Sequence, residues 1–154
     1  MIRAVIDTSS LYASSLRREL QRAATYGLFT GLWSPWIIAE LNRVLVWRWI
    51  HEYMPGDISA ASEKRCSIAA KRMMELLLPA FELVAPLPPY PPAWPTLTDV
   101  HDAPIWAAAV LGNAQCVVSE NTRHYPPRQP DGRRVYQGIE YVPARTFLAM
   151  LIGA

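Results

Sequence analysis

The chain has 154 residues, of which 51% are hydrophobic, and a formal net charge of +2. This length suits one domain spanning 1–154 with a sizeable core, and the small net charge excludes a strongly basic protein that coats nucleic acid. The sequence contains no run of roughly 18 uninterrupted apolar residues and no signal-peptide pattern, and its two cysteines, Cys66 and Cys116, have apolar neighbours and no motif spacing, so the expectation is a cytoplasmic protein with reduced thiols and no membrane association.

Residues 2–6 form an apolar run that reads as a short buried strand closed by Asp7, and Asp7-Thr8-Ser9-Ser10 is a helix-start cluster. Residues 14–24 read as helical, with Leu16, Leu20 and Ala24 at i, i+4 and i+8. A second strand follows over 28–33. Ser34-Pro35 supplies an N-cap and a proline at the first helical position. The helix it starts runs to about residue 50, with Ile37, Leu41, Val44 and Leu45 on its apolar face and Trp36, Glu40, Arg43 and Trp47 on the other. After a break at Pro55-Gly56-Asp57, residues 58–78 read as an amphipathic helix with Cys66, Ala69, Ala70, Met73 and Leu77 in register. Residues 81–85 predict a third strand. The proline-dense stretch 86–95 excludes a regular element. A helix over 103–111, a strand over 116–119, an irregular segment over 122–138, an edge strand over 139–142 and a helix over 143–151 complete the chain. Alternating strands and helices call for a mainly parallel sheet between helical layers, a three-layer α/β/α fold.

This architecture gives the acidic residues a common address. The working crevice of an open parallel sheet lies beyond the carboxyl ends of its strands. Asp7 stands at the tip of the first strand, Glu40 in the first turns of the helix after Pro35, Asp99 and Asp102 at the start of a later helix, and Asn121 just after the 116–119 strand. Carboxylates gathered there need a counter-cation, and an all-oxygen ligand set favours Mg²⁺ or Mn²⁺. The chemistry this suggests is metal-assisted phosphodiester hydrolysis. Each residue also has a plainer reading. Asp7 and Asp102 suit helix capping, Glu40 suits a solvated helix position paired with Arg43, and Asp99 suits a turn.

Four segments in order, Val5-Ile6-Asp7-Thr8-Ser9, Ser34-Pro35 with Ala39-Glu40-Leu41, Asp99-Val100-His101-Asp102-Ala103, and Cys116-Val117-Val118-Ser119-Glu120-Asn121 with Tyr125-Pro126, resemble the PIN-domain family of nucleases. The likeness is greatest to the VapC-type toxin components of bacterial toxin–antitoxin pairs. The resemblance implies a metal-dependent endoribonuclease, an antitoxin partner, an RNA substrate and a homodimer. It matches Asp7, Glu40 and Asp102 to the family's principal acids, Asp99 to the secondary aspartate, and Asn121 to a fourth position that is often Asp and sometimes Asn. His124 stands where the family often carries an acid, and Glu120 is the neighbouring carboxylate able to supply that charge. On the metal chemistry, the expected roles are Asp7 and Asp102 as inner metal ligands, Glu40 orienting water or binding through it, and Asp99 and Asn121 completing the shell. A different class of function is a catalytically silent module that binds RNA or protein, marked by the neutral Asn121 and by His124. A receiver or aspartyl phosphatase lacks support, because Asp7-Thr8-Ser9 has no second aspartate and the only lysines, Lys64 and Lys71, fall in the middle helix. No glycine-rich phosphate loop follows a strand.

Two further features carry alternatives. The chain has six tryptophans, which suit core or interface packing and also suit stacking against RNA bases. Thirteen of the 15 basic residues are arginine, whose planar guanidinium grips phosphate in a way that lysine does not, and Arg17-Arg18-Arg22 and Arg133-Arg134 form two candidate basic patches.

Overall fold

Three runs of β-branched and aliphatic residues, each bounded by turn or capping residues, form the centre of the sheet. A computed structural model describes residues 1–56, 59–92 and 102–153, with only the backbone of His124. Its strands are β1 (Arg3–Ile6), β2 (Thr30–Trp33), β3 (Phe81–Leu83), β4 (Cys116–Val118), β5 (Val135–Tyr136) and β6 (Ile139–Val142). Its α-helices are α1 (Ser14–Thr25), α2 (Pro35–Tyr53), α3 (Ala60–Leu77), α4 (Ala103–Leu111) and α5 (Ala144–Leu151). The sheet order is β3-β2-β1-β4-β6-β5, parallel throughout except for the antiparallel β5–β6 pair. The result is the expected α/β/α fold with a mainly parallel sheet.

Burial on both faces explains why the central strands are continuously apolar. Ala4, Val5, Ile6, Val117 and Val118 are each 0% exposed. The helix α4 packs across β1, β2 and β4, α1 packs on α5, and α2 pairs with α3. A T-shaped contact between Phe29 and Phe147, with ring centroids 4.9 Å apart, joins the start of β2 to α5. Burial of these side chains, at about 1.5–3 kcal/mol for each large apolar group, is the main stabilising contribution.

Local chemistry sets the helix ends. Ser34 Oγ accepts a hydrogen bond from Ile37 N at 3.2 Å, with Pro35 at the first helical position. Ser59 caps α3 in the same way through Ser62 N. Gly27, at φ +72°, lets the chain leave α1 in a left-handed conformation that a side chain would resist.

Several boundaries and faces differ from the sequence expectation. Residues 139–142 are not an edge strand. They form β6, flanked by β4 and by the two-residue β5, and β5 is the edge. The irregular reading of 122–138 missed β5 because a two-residue strand has no periodicity to detect. Residue 58, the expected first residue of α3, lies outside the described residues, and the helix itself starts at Ala60. Its buried row is Ser62, Cys66, Ala70, Met74 and Leu77, while Ala69 is exposed. On α1 the buried row is Arg17, Leu20 and Ala23, a shift from Leu16 and Ala24. Arg17 is therefore not part of a surface patch. It is 7% exposed, and its guanidinium donates to Leu11 O at 2.8 Å. Burial lowers its pKa, with a smaller contribution from Arg18. Both cysteines are free and buried. Among the described residues no helix is long and apolar enough to cross a membrane.

Candidate active site

The strand order places the topological switch point between β1 and β4. From β1 the chain moves outward to β2 and β3, then crosses back to the opposite side of β1 to lay down β4. The two outgoing chains diverge there and open a crevice at the carboxyl ends. Asp7 follows the last residue of β1 and its amide donates to Val118 O at 2.9 Å, so the main chain holds it at this crevice.

Its carboxylate is fully engaged on one side. Oδ1 accepts from Thr8 N at 2.8 Å, which is the helix-cap role foreseen for Asp7. Oδ2 accepts from Ser9 Oγ at 2.9 Å and Ser119 Oγ at 2.8 Å. Each hydroxyl also accepts a backbone N–H, Ser9 from Glu120 at 2.9 Å and Ser119 from Asn121 at 3.1 Å. A hydroxyl has one proton and two lone pairs. With both protons directed at Asp7, the 3.1 Å approach of the two serine oxygens is a close packing contact within the same cluster. The tip of β1 and the turn after β4 are thereby joined through one carboxylate oxygen.

Asp102 shares a pocket with Asp7, together with Ile105, Val117, Ser119, Asn121 and Tyr141. It sits at the N-cap position of α4 in the αR conformation (φ −82°, ψ −16°) and makes no side-chain capping hydrogen bond. The plain capping reading thus applies to Asp7 but not to Asp102. Asn121 likewise makes no side-chain cap to the turn it precedes and lines the same pocket. Glu40 is placed apart from this group. Its Oε2 accepts from Thr8 Oγ1 at 2.8 Å, and it lines a separate open hollow with Trp36, Ala39 and Arg43. Glu120 points elsewhere, its Oε1 accepting from Ala144 N at 2.7 Å, which caps α5. Asp99 and His101 lie outside the described residues, and nothing is described of the His124 side chain.

Residues to which the sequence reading gave no site role complete the setting. Ser9, Ser119 and Thr8 orient the acids, and three tyrosines surround them. Burial raises the Tyr141 pKa, and Asp102, Asp7 and then Tyr136 add to the rise. Burial raises that of Tyr125, with Glu120 and Asp7 adding to it, and its hydroxyl donates to Ser119 O. Burial pushes Tyr12 up to about 12, with Glu40 and Asp7 contributing next. The phenols are therefore neutral donors at physiological pH and add no negative charge to the pocket. Tyr125 is legible only as part of the Tyr125-Pro126 segment of the resemblance, and no sequence signal singles out Tyr12 or Tyr141.

Among the described residues no three Asp, Glu, His or Cys side chains gather closely enough to form a metal-holding group. The donors present still fit a hard cation. Mg²⁺ takes only one or two protein carboxylates directly and keeps several waters. Asp7 and Asp102 with the amide oxygen of Asn121 and nearby hydroxyls form an all-oxygen set of that kind. Thiols do not compete, because Cys66 and Cys116 are buried in the core.

Fold and pocket together define an α/β/α protein with a pair of aspartates at the switch point of its sheet. A family model for the PIN domain matches residues 3–123, and the chain belongs to the PIN-domain family. Members of that family are generally nucleases that use divalent metals, which supports a nuclease role here. No curated protein and no solved structure matches the chain.

Proposed function

We propose that this protein is an endoribonuclease dependent on Mg²⁺ or Mn²⁺. The observation that carries the reading is the shared pocket of Asp7, Asp102 and Asn121 at the switch point, with Asp102 not used as a side-chain cap. Asp7 and Asp102 would hold the ion, with Asn121 beside them. When bound, such an ion offsets phosphodiester charge and lowers the pKa of a bound water. The protein's own groups have distinct parts. Ser9 and Ser119 fix the rotamer of Asp7 through Oδ2. Thr8, the residue next to Asp7, fixes Glu40 in the adjoining hollow, from which that carboxylate would orient a water or accept its proton. Tyr141, kept neutral, walls the pocket without repelling a phosphate. Attack by water leaves 5′-phosphate and 3′-hydroxyl ends.

The finer assignment is the toxin of a toxin–antitoxin pair. It rests on the resemblance of the acid-bearing segments and carries with it an antitoxin that places a basic side chain among the acids, and a homodimer. The rival reading, a silent module that binds RNA or protein, draws on the neutral Asn121 and on Glu120 being spent on α5.

Cleavage of a mixed RNA pool with Mn²⁺ or Mg²⁺, with EDTA controls, tests the proposal by comparing the native chain with Asp7→Asn. Metal-dependent cutting that disappears in the variant is the expected result, with 5′-phosphate products. Equal cutting by both chains, or 2′,3′-cyclic phosphate ends, sinks the mechanism. If neither chain cuts and calorimetry finds no tight Mn²⁺ binding, the silent module stands in its place.

A further inference from the structure

The helix α2 carries a row of side chains that the core does not use. Trp36, Glu40, Arg43, Trp47 and His51 follow at intervals of four, three, four and four residues, which keeps them in one stripe of a 3.6-residue helix. Trp33 and Trp106 lie in the core at 0% and 5% exposure, whereas Trp36 is 37% and Trp47 60% exposed. The Trp47 ring lies against His51, with centroids 4.1 Å apart and planes inclined by 31°. His51 Nδ1 stands 2.7 Å from Trp47 O, so the helix itself braces the indole from one side while leaving it largely in water. Arg43 is exposed between the two tryptophans. Glu40, in the same stripe, is bonded to Thr8, the residue next to Asp7.

We propose that this stripe is a stacking rail for an unpaired RNA strand, with bases lying against Trp36 and Trp47 and an intervening phosphate meeting Arg43. The inference takes its substrate class from the nuclease reading above. Two properties of the stripe point to this occupant. It is continuous with the candidate active site through Glu40 and Thr8. It alternates aromatic rings with a cation, the combination that holds single strands through base stacking and phosphate attraction. Eleven positions separate the two indoles in sequence, about 16 Å along the helix. Bases in a duplex already stack on one another and have no free face to offer, so the rail selects unpaired RNA.

The test measures binding of fluorescein-labelled decamers by fluorescence anisotropy, in an Asp7→Asn background so that RNA is bound without being cut. Trp36→Ala and Trp47→Ala are each expected to weaken single-stranded RNA binding about 5- to 150-fold. Trp47→Phe keeps most of the affinity, and duplex RNA binds more weakly than single strands. Circular dichroism checks folding, and Trp47→Ala, at the more exposed ring, decides the matter if Trp36→Ala does not fold. Alanine variants that bind as tightly as their parent overturn the inference. So does duplex RNA bound equally well, or a parent that binds no RNA. A changed oligomeric state with unchanged RNA affinity also overturns it and assigns the stripe to a protein interface. The two readings fail separately. Trp-dependent binding by a native chain that never cuts keeps the rail and removes the nuclease, whereas metal-dependent cutting with Trp-insensitive binding removes only the rail.

Discussion

The two flanks of Asp7 follow opposite plans. Toward β4 the carboxylate is locked by Ser9 and Ser119, each of which also accepts one backbone amide, and buried strands close the region. Toward α2, Thr8 donates to Glu40, and beyond that hydrogen bond lies an open hollow and a helix face of exposed indoles and arginine. The first flank spends its polar groups on one another and so holds geometry. The second leaves Trp36, Arg43 and Trp47 exposed and so retains capacity for a ligand. A hydrogen-bonded network of low exposure is rigid because every member lost leaves another buried group unsatisfied, and no such penalty constrains the α2 face.

The largest expected effect comes from breaking both flanks at their common residue. Asp7→Asn removes the charge while keeping most of the shape, and metal-dependent RNA cutting should fall about a hundredfold or more, measured in single-turnover assays. Asp102→Ala separates site from scaffold. Cutting should drop about tenfold or more, while thermal denaturation should shift less than it does for Ser34→Ala. The latter removes a side-chain cap worth about 1 kcal/mol, whereas Asp102 provides no such cap. A shift for Asp102→Ala as large as for Ser34→Ala would return Asp102 to a structural role.

Ser119→Ala tests the locked flank directly. It removes a donor to Asp7 and an acceptor for Asn121 N, and should cost about 1–3 kcal/mol of stability together with a loss of cutting of about tenfold. Thr8→Val, on the α2 flank, should cost cutting less than Ser119→Ala does, and the reverse order in the same assay would undo the contrast between the flanks.

Tyr12 reports on the α2 flank through pH. Its phenol is pushed up to about 12, first by burial and then by Glu40 and Asp7. In the unfolded chain it ionises near pH 10. The unfolded state therefore releases the proton first, so the stability Tyr12 contributes is complete below about pH 10 and is lost as pH rises toward 12. Urea melts across that range should show Tyr12→Phe with a shallower alkaline decline than the native chain. The smallest effect is on the β4 flank, where burial pushes the Cys116 thiol up to about 11. Cys116 should resist a thiol reagent at pH 8 in the folded protein and react on unfolding.

Much of this molecule is determined by local sequence. The apolar runs before Asp7 and after Gln115, the Ser34-Pro35 start of α2 and the glycine and proline breaks each act over a few residues, through burial, capping geometry or restricted φ. The fold class and the neighbourhood of Asp7, Asp102 and Asn121 follow from them without any long-range information. Other features are decided only by tertiary structure. The sheet order turns β6 into an interior strand by adding a two-residue edge that has no pattern of its own. The rotation of α1 buries Arg17 because carbonyl oxygens of the preceding turn meet its guanidinium there. The division of the acids into a pocket pair and a Thr8-tethered Glu40, and the spending of Glu120 on α5, depend on hydroxyls and amides up to 112 residues apart in sequence. A residue's type can declare that it is able to bind an ion or accept a hydrogen bond. Which of those it does is settled by the donors that the fold brings within about 3 Å, and for Asp7, Glu40 and Glu120 at least one such donor lies far away in sequence.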